Sequence, residues 1–286
     1  MNVTLGVILA LSAAFVWALA SVLSKVSMRE VNPLSLNVIR LLLSALFYVP
    51  LVLYIGVPGF SALQWGILAV SGVLGFTLAD WFFLEGMNLL GVSRAAILVT
   101  AHPIITMFVA HYTLGRPLTL GLLLGAFFIV MAVLVIASEG SRGGGINWKG
   151  LAYVFSAQLL WTFAVIVTDW LVVGESAFAV IGLRIGFGAL ASLAFLPRIG
   201  DDVRKLNARG WGLVFIITLL GTILGQYFFA LALKFAGSSI ATPVTESSPI
   251  MASIMAVLFL KERFTGRLAL ALVLATLGVL LIGLYA

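Results

Sequence analysis

The sequence predicts an all-α membrane protein with ten transmembrane helices, arranged as two inverted five-helix repeats around a central cavity. Three observations predict this fold: a very apolar composition, ten apolar stretches of membrane-spanning length, and an internal repeat. Of the 286 residues, 63% are hydrophobic and 9% are charged, whereas soluble domains average about 25% charged residues. So few charges cannot cover the surface of a soluble core of this size.

Composition and charge placement also exclude other classes. The chain contains no cysteine, which excludes a disulfide scaffold and thiol chemistry. The net charge of +6 would suit a nucleic-acid partner, but the cations lie in loops between apolar runs. We therefore expect them to set the topology in the lipid bilayer, and we expect no nucleic-acid partner and no cofactor.

A transmembrane helix needs about 20 mostly apolar residues. Continuous apolar runs, rather than alternating ones, favour helices over a β-barrel. The first run lacks a basic leader and is too long for the core of a signal peptide. The ten predicted spans, numbered in chain order, are Val3–Ser24, Pro33–Tyr54, Trp65–Leu84, Val92–Tyr112, Leu118–Ala137, Gly150–Val173, Ala177–Phe195, Trp211–Ala230, Ser238–Leu260 and Leu268–Tyr285.

The longest polar stretch away from the termini divides the chain near its middle. Its Gly and Ser content is typical of a flexible linker. We therefore predict a first five-helix domain at residues 1–137, a linker at residues 138–149 and a second five-helix domain at residues 150–286.

The two predicted domains match each other in sequence. Residues 75–119 align without gaps on residues 221–265, with 12 identities. Rare residue types match at fixed offsets, as Trp17 does with Trp161. The further matches of rare residue types pair Arg40 with Arg184 and Pro103 with Pro249. Because each half has an odd number of spans, the second half must be inverted, an architecture typical of secondary transporters with a substrate site near the midplane.

Basic residues predict the orientation. Loops after the odd-numbered spans hold twelve Lys and Arg residues, and the opposite loops hold only Arg116 and Lys234. The positive-inside rule makes the richer side cytoplasmic, so both termini are expected on the non-cytoplasmic side. We expect a multi-pass protein of the bacterial inner membrane, and a monomer, since ten helices suffice to enclose a cavity.

Several of these residues resemble the EamA-type repeat of the drug/metabolite transporter superfamily. Each half has a Trp in its first span, an Arg in its second and a Pro in its fourth. The resemblance continues after Pro249, in Ala256, Leu258, Phe259, Leu260, Glu262, Arg263, Thr265, Leu277, Gly278 and Val279.

The resemblance covers nearly the whole chain, although the first half has Arg116 where the second has Glu262. It implies ten helices, alternating access to a central cavity, and export of amino acids or other small metabolites. The YddG-like and RhtA-like amino-acid exporters are the branch that we expect.

Polar groups within the spans are the candidate site residues, because they are costly in hydrocarbon. Asp80, His102 and Glu246 lie mid-span, and Gln226 and Ser248 are the repeat equivalents of Asp80 and His102. Together with nearby aromatic residues they suit a zwitterionic or amphipathic solute, since a carboxylate binds ammonium and an aromatic ring contacts cations or other rings. The predicted substrate-binding residues are Trp17, Asp80, Trp81, His102, Trp161, Gln226, Tyr227, Glu246 and Ser248.

Each candidate also has a structural alternative. Asp80 and Glu246 could be protonated or paired between helices, His102 could bond a neighbouring helix, and Trp17 and Trp161 could be packing residues. Arg40 and Arg184 are expected to extend toward opposite interfaces, with contact to a substrate carboxylate as the alternative. Asp169 and Glu85, near span ends, are expected to be solvated or interfacial.

Pro103 and Pro249 are predicted to kink spans 4 and 9 and so to provide bend points for gating. Static kinks are the alternative. Three spacings of small residues are expected to allow close helix packing within the fold. They are Gly121–Gly125, Gly182–Gly186 and Gly221–Gly225.

Glu246, Asp80 and His102 are the candidates for proton coupling, because a proton and a substrate can compete for one carboxylate. A facilitator, a proton antiporter of other metabolites or organic cations, and more remotely a channel remain as alternatives. The sequence has no P-loop pattern and no HExxH motif, and with two histidines a His-rich metal site is not expected. We therefore predict no enzyme activity and no bound metal.

Overall fold

The computed structural model describes residues 2–90, 98–99, 102–137, 147–248, 250–252, 255 and 265–285. Throughout this part of the chain the structure is helical, without a strand. The α-helices are α1 (Val3–Ser27), α2 (Pro33–Ile55), α3 (Ala62–Gly72), α4 (Asp80–Leu90), α5 (His102–Leu114), α6 (Leu120–Ala137), α7 (Trp148–Val172), α8 (Ala177–Ser192), α9 (Leu196–Lys205), α10 (Ala208–Ile217), α11 (Gln226–Ala236), α12 (Ser238–Thr245) and α13 (Gly266–Tyr285).

The predicted all-α membrane fold is confirmed. Among the described residues, six continuous helical stretches are long and apolar enough to cross a membrane, and they correspond to predicted spans 1, 2, 3, 6, 7 and 8. Spans 5 and 10 appear as shorter apolar helices. Parts of spans 4 and 9, and most of the predicted linker, lie outside the described residues.

Asn and Ser residues determine where many helices begin. In each case a side-chain oxygen accepts a hydrogen bond from a backbone N–H in the first helical turn, which otherwise has no partner. The residues that cap helices in this way are Asn2, Asn32, Ser61, Asn147, Ser176 and Asn207.

Spans 3 and 8 each contain a π-helical segment that the sequence did not predict. Val73–Ala79 joins α3 to α4, and Thr218–Gly225 joins α10 to α11. At the repeat offset the two segments cover equivalent positions. They therefore give both halves the same irregular turn, next to Asp80 in one half and Gln226 in the other.

The two halves pack against each other through equivalent glycines. A Cβ added to Gly75 would lie 2.8 Å from the Cβ of Ala164, and one added to Gly221 would lie 3.1 Å from the Cβ of Ala20. Ala20 and Ala164 are themselves repeat equivalents. The first helix of each half thus lies against the π-helical segment of the other half, as an inverted repeat requires.

The small-residue spacings serve packing within the fold, as predicted. An added Cβ at Gly182 on α8 would lie 2.9 Å from side-chain atoms of Tyr48 and Val52 on α2. At Gly125 on α6, an added Cβ would lie 2.8 Å from the carbonyl oxygen of Gly278 on α13. These close approaches allow dispersion contacts between backbones, which drive helix association in membranes.

Two ends of the helix bundle can be recognised from polar contacts. At one end, the carboxylate of Asp202 on α9 accepts hydrogen bonds from the backbone of Asn32 at 3.0 Å and from Ser35 Oγ at 2.8 Å, both at the start of α2. We call this the Asp202 end. The opposite end, where Arg116 contacts Asp169, is called the Arg116 end.

Candidate functional site

Asp80 is the first residue of α4, directly after the π-helical segment. Its Oδ2 accepts a hydrogen bond of 2.8 Å from Arg40 Nη2, and its Oδ1 accepts one of 2.9 Å from the indole of Trp161. The same Nη2 of Arg40 donates to Asn37 Oδ1 at 2.7 Å. One residue from each half therefore holds the Asp80 carboxylate.

The predicted interfacial position of Arg40 and Arg184 is wrong. Arg40 turns inward to Asp80, and Arg184 is only 4% exposed. Arg184 Nε donates to Ser71 Oγ at 2.9 Å, and its Nη1 donates to Thr168 Oγ1. Neighbouring helices supply these polar partners inside the bundle, so neither side chain needs to reach a headgroup.

A second polar pair lies close to the first. His102 Nδ1 is 3.8 Å from Glu246 Oε1, and the two side chains are 8% and 13% exposed. The other ring nitrogen, Nε2, is 3.3 Å from Thr106 Oγ1. The His102 ring centroid lies 6.2 Å from that of Trp161. The structure thus brings together Asp80, Trp161, His102 and Glu246, which we call the central cluster.

The two carboxylates of the central cluster differ in their free bonding capacity. Both oxygens of Asp80 are engaged by Arg40 and Trp161. Within the described residues, the only polar partner of the Glu246 carboxylate is the imidazole of His102. The distance between the two groups is too long for a hydrogen bond. Glu246 is therefore the carboxylate that can accept an ammonium group or a proton without breaking another bond.

Three predicted aromatic site residues have their contacts outside the central cluster. The indole of Trp17 donates to the carbonyl of Gly221 at 2.9 Å, and the indole of Trp81 donates to Glu85 Oε1 at 3.1 Å. Tyr227 lies against Phe178, with ring centroids 5.6 Å apart.

Three further predicted residues lie in the described part of the chain. Gln226 and Ser248 are half-buried, and Pro103 is buried next to His102. Pro249 lies outside the described residues. A role of any predicted residue in binding or gating stays a prediction.

Span 9 is a broken helix in the structure. Helix α12 ends at Thr245, and Glu246 and Ser247 form a turn. Ser239, Thr242 and Glu246 are spaced three and four residues apart, which places them on one face of a helix. The hydroxyls of Ser239 and Thr242 are buried, each residue being 1% exposed, and have no hydrogen-bond partner in the described part of the chain. Broken helices with free polar groups are where transporters commonly hold their cargo.

Hydroxyl residues around the cluster were missed from the sequence. Thr106 Oγ1 lies 3.4 Å from Thr162 Oγ1, which links α5 to α7. Their signal was available as spacing: Thr106 is one turn from His102, and Gln158, Thr162 and Asp169 lie on one face of α7. Single hydroxyls are too common in apolar helices for this spacing to have stood out.

The expectation that Asp169 is solvated is also wrong, because the residue is fully buried. Its Oδ2 accepts hydrogen bonds of 3.0 Å from Arg116 Nε and from the backbone N–H of Ser238, and a third of 2.6 Å from Ser238 Oγ. Arg116 Nη2 donates to the other oxygen, Oδ1. Arg116 belongs to the first half and Asp169 to the second, so this pair joins the halves. Glu85, by contrast, is half-buried beside Trp81.

Within the described ranges, no group of three or more His, Asp or Glu side chains could hold a metal ion. Two open concavities of about 450 and 390 Å³ lie on the apolar outside of the bundle, one beside Phe15 and one beside Phe155. Neither is lined by the central cluster.

Comparison with known proteins gives a family for this architecture. The sequence profile of the EamA-like transporter family matches the chain twice, at residues 4–138 and 148–284. A protein of Archaeoglobus fulgidus described as an uncharacterized transporter is 26% identical over 284 residues, covering 97% of this chain and 98% of the relative. The uncharacterized transporter YoaV of Bacillus subtilis is 25% identical over 144 residues, 48% of each chain.

The fold is also similar to that of a solved structure. A crystal structure with 15% sequence identity superposes with a TM-score of 0.80, covering 98% of this chain and 97% of the other. At this identity the similarity concerns the fold alone.

Proposed function

This chain belongs to the EamA-like transporter family, and on that premise we propose that it is a secondary transporter of amino acids or similar zwitterionic metabolites. It would export them across the bacterial inner membrane by alternating access between its two inverted halves. The observation that supports this substrate class most directly is the position of Glu246, a carboxylate in the interior of the bundle whose bonding capacity is not used up by the protein.

The charge balance of the interior favours a zwitterion. Apart from the pair of Arg116 and Asp169, the described interior of the bundle holds two guanidinium groups and two carboxylates, those of Arg40, Arg184, Asp80 and Glu246. When a proton or the ammonium group of a solute neutralises Glu246, one positive charge remains in a region of low dielectric constant, where interactions between charges are strong. The carboxylate of the same solute would then be attracted.

Aromatic side chains next to His102 favour a solute with an apolar or aromatic part. Phe83 packs against Trp161 with ring centroids 5.1 Å apart, and the ring centroid of His102 lies 6.2 Å from that of the same indole. Such rings contact apolar groups and stack on other rings. Amphipathic amino acids therefore fit better than strongly hydrophilic ones.

Competition at Glu246 would couple export to protons. If Glu246 binds either a proton or the substrate's ammonium group, the transporter reorients in one direction with bound substrate and returns with a bound proton. A facilitator driven by the solute gradient is the second candidate, since His102 and Glu246 could then serve only to bind. A transporter of organic cations would also need the carboxylate of Glu246. It would not need the positive charge that remains in the interior once Glu246 is neutralised, because such a substrate has no carboxylate.

The test uses purified protein in liposomes loaded with a mixture of unlabelled amino acids. Labelled aromatic and aliphatic amino acids are added outside, and saturable exchange is expected. Glu246→Gln should abolish exchange, whereas Glu85→Gln should leave it largely intact, because Glu85 bonds only Trp81 among the described residues. Saturable exchange by Glu246→Gln at the unmodified rate would refute the role of Glu246, and absence of any amino-acid exchange by the unmodified protein would refute the substrate class.

Coupling is tested in the same liposomes with a pH gradient imposed. Accumulation of substrate against its own gradient, reversed in direction when the pH gradient is reversed, is expected for a proton antiporter. Equilibration without accumulation under either gradient would identify a facilitator.

A further inference from the structure

We propose that the substrate travels between Glu246 and the Arg116 end along the seam where α5, α7 and α12 meet, and that the bonds of Asp169 to Arg116 and to Ser238 close this seam. The proposal rests on the proposed function in taking Glu246 as the central binding group. It adds the route to that group and the residues that shut it.

Two contacts fix how the helices of the seam run. Glu246, after the end of α12, lies beside His102 at the start of α5. Ser238, at the start of α12, bonds Asp169, which also bonds Arg116 just beyond the end of α5. Helices α5 and α12 are therefore antiparallel neighbours, and the seam between them leads from the central cluster to the Arg116 end.

Small and hydroxyl side chains line this route at one-turn intervals. From the central cluster outward, α12 presents Thr242 and then Ser239, both buried. On the facing helix, α5 presents Thr106 and then Ala110, also buried. Thr162 on α7 contacts Thr106 at the same level, so the three helices share one polar strip.

The hydroxyls without partners indicate that this strip is suited to a polar cargo. Leaving a buried polar group without a hydrogen bond costs free energy, so such groups are rare in packed interiors. Ser239 and Thr242 both carry such hydroxyls, whereas alanine and valine, their apolar counterparts of similar shape, would leave no polar group unsatisfied. A passing ammonium group, or water once the seam opens, would supply the missing bonds.

The bonds that close the seam at the Arg116 end must break together. Asp169 is fully buried, and its carboxylate accepts hydrogen bonds from both Arg116 and Ser238. Gly237 has a φ of +78°, and an added Cβ there would lie 3.1 Å from Arg116 Nε, so a side chain would obstruct the guanidinium. Withdrawing Arg116 alone would leave a buried, unpaired carboxylate, which is strongly unfavourable. The first half must therefore move away from the second for the seam to open.

The chain lacks cysteine, so single introduced cysteines report accessibility without background. T242C reports on the seam, and S44C is the control, since Ser44 is buried on α2 away from it. The rate of labelling by a hydrophilic maleimide is measured for each, alone and combined with R116Q. The double change R116Q/D169N serves as a second opening variant that leaves no unpaired charge behind.

Opening of the closure should raise the labelling rate of T242C about tenfold or more, within the range typical of coupled conformational equilibria, in both backgrounds. Labelling of S44C should not change. An unchanged rate for T242C in both backgrounds, or an equal rise for S44C, would overturn the proposal. Because labelling does not depend on transport, a protein that passes this test yet exchanges no amino acid would contradict the proposed function and leave the seam in place.

Discussion

Trp161 and Asp80, 81 positions apart, are joined by a hydrogen bond of 2.9 Å from the indole N–H to the carboxylate. The bond crosses from the second half of the chain to the first, and Arg40 holds the other oxygen of the same carboxylate. Asp80 thus has the character of a structural junction between the halves, while Glu246 keeps the capacity to bind.

Replacing Asp80 with Asn should destabilise the protein, because it leaves the mostly buried guanidinium of Arg40 without its counter-charge. Removing one partner of a buried pair costs about 3 kcal/mol or more in the free energy of unfolding. Trp161→Phe removes a hydrogen bond but no charge, so its cost should be nearer 1 kcal/mol. Reversible unfolding of the purified protein in mixed detergent micelles measures both.

The double variant Arg40→Met/Asp80→Leu provides the control for this prediction. It removes both charges, so it should be less destabilised than Asp80→Asn alone. If the two variants unfold at the same denaturant concentration, the pair is not the source of the stability.

Replacing His102 with Gln should separate substrate binding from coupling to protons. Gln can still bond Thr106, but unlike an imidazole it cannot take up and release a proton. Amino-acid exchange without a pH gradient should remain within a few-fold of the unmodified rate, whereas accumulation driven by an imposed pH gradient should be lost. Accumulation equal to that of the unmodified protein would exclude His102 from the coupling and leave Glu246 and Asp80 as the candidates.

Gly72→Ala should be far more damaging than Gly66→Ala, although both residues lie on α3. A Cβ at Gly72 would lie 2.3 Å from the backbone oxygen of Arg184, an atom that cannot rotate away, whereas a Cβ at Gly66 meets nothing within 4 Å. Overpacking of this kind costs about 1–3 kcal/mol. Thermal unfolding followed by fluorescence gives the comparison, and equal midpoints for the two variants would show that the helices are not in contact at Gly72.

Tyr48→Phe should destabilise the second π-helical segment. The phenol of Tyr48 donates to the carbonyl of Ile223 at 2.8 Å and is completely buried. Loss of this donor leaves the carbonyl without that bond, at a cost of about 1–2 kcal/mol. Tyr54→Phe is the matched control, because Tyr54 is 88% exposed. Hydrogen exchange of the amides in Thr218–Gly225 should accelerate in the first variant only, and acceleration in neither would argue against the role of Tyr48.

Periodicity and repetition in the sequence were sufficient to predict the helical membrane fold and its two-repeat architecture. They also selected Asp80, Trp161, His102 and Glu246, because charge, rarity and mid-span position are visible in one dimension. They could not predict which side chains on different helices form hydrogen bonds with each other. The depth of Arg184 in its span favours an interfacial position, but the hydroxyls of Ser71 and Thr168 that hold it lie on two other helices and cannot be located from the sequence.

Repetition misled in one respect. Trp17 and Trp161 occupy equivalent positions, yet one indole bonds a backbone carbonyl and the other bonds the Asp80 carboxylate. The equivalent of Asp80 is Gln226, so the polar environment of the two indoles differs even though the backbone around them is alike. An internal repeat predicts equivalent placement, and the chemistry at each placement depends on residues that have diverged.

The π-helical segments show how far the likeness of the two halves extends. Val73–Ala79 and Thr218–Gly225 occupy matching positions within a stretch that aligns without gaps. Short π-helical segments inside α-helices are uncommon, and they occur frequently at functional sites. The internal symmetry of this protein therefore includes a local irregularity of the backbone, and not only the order of its helices.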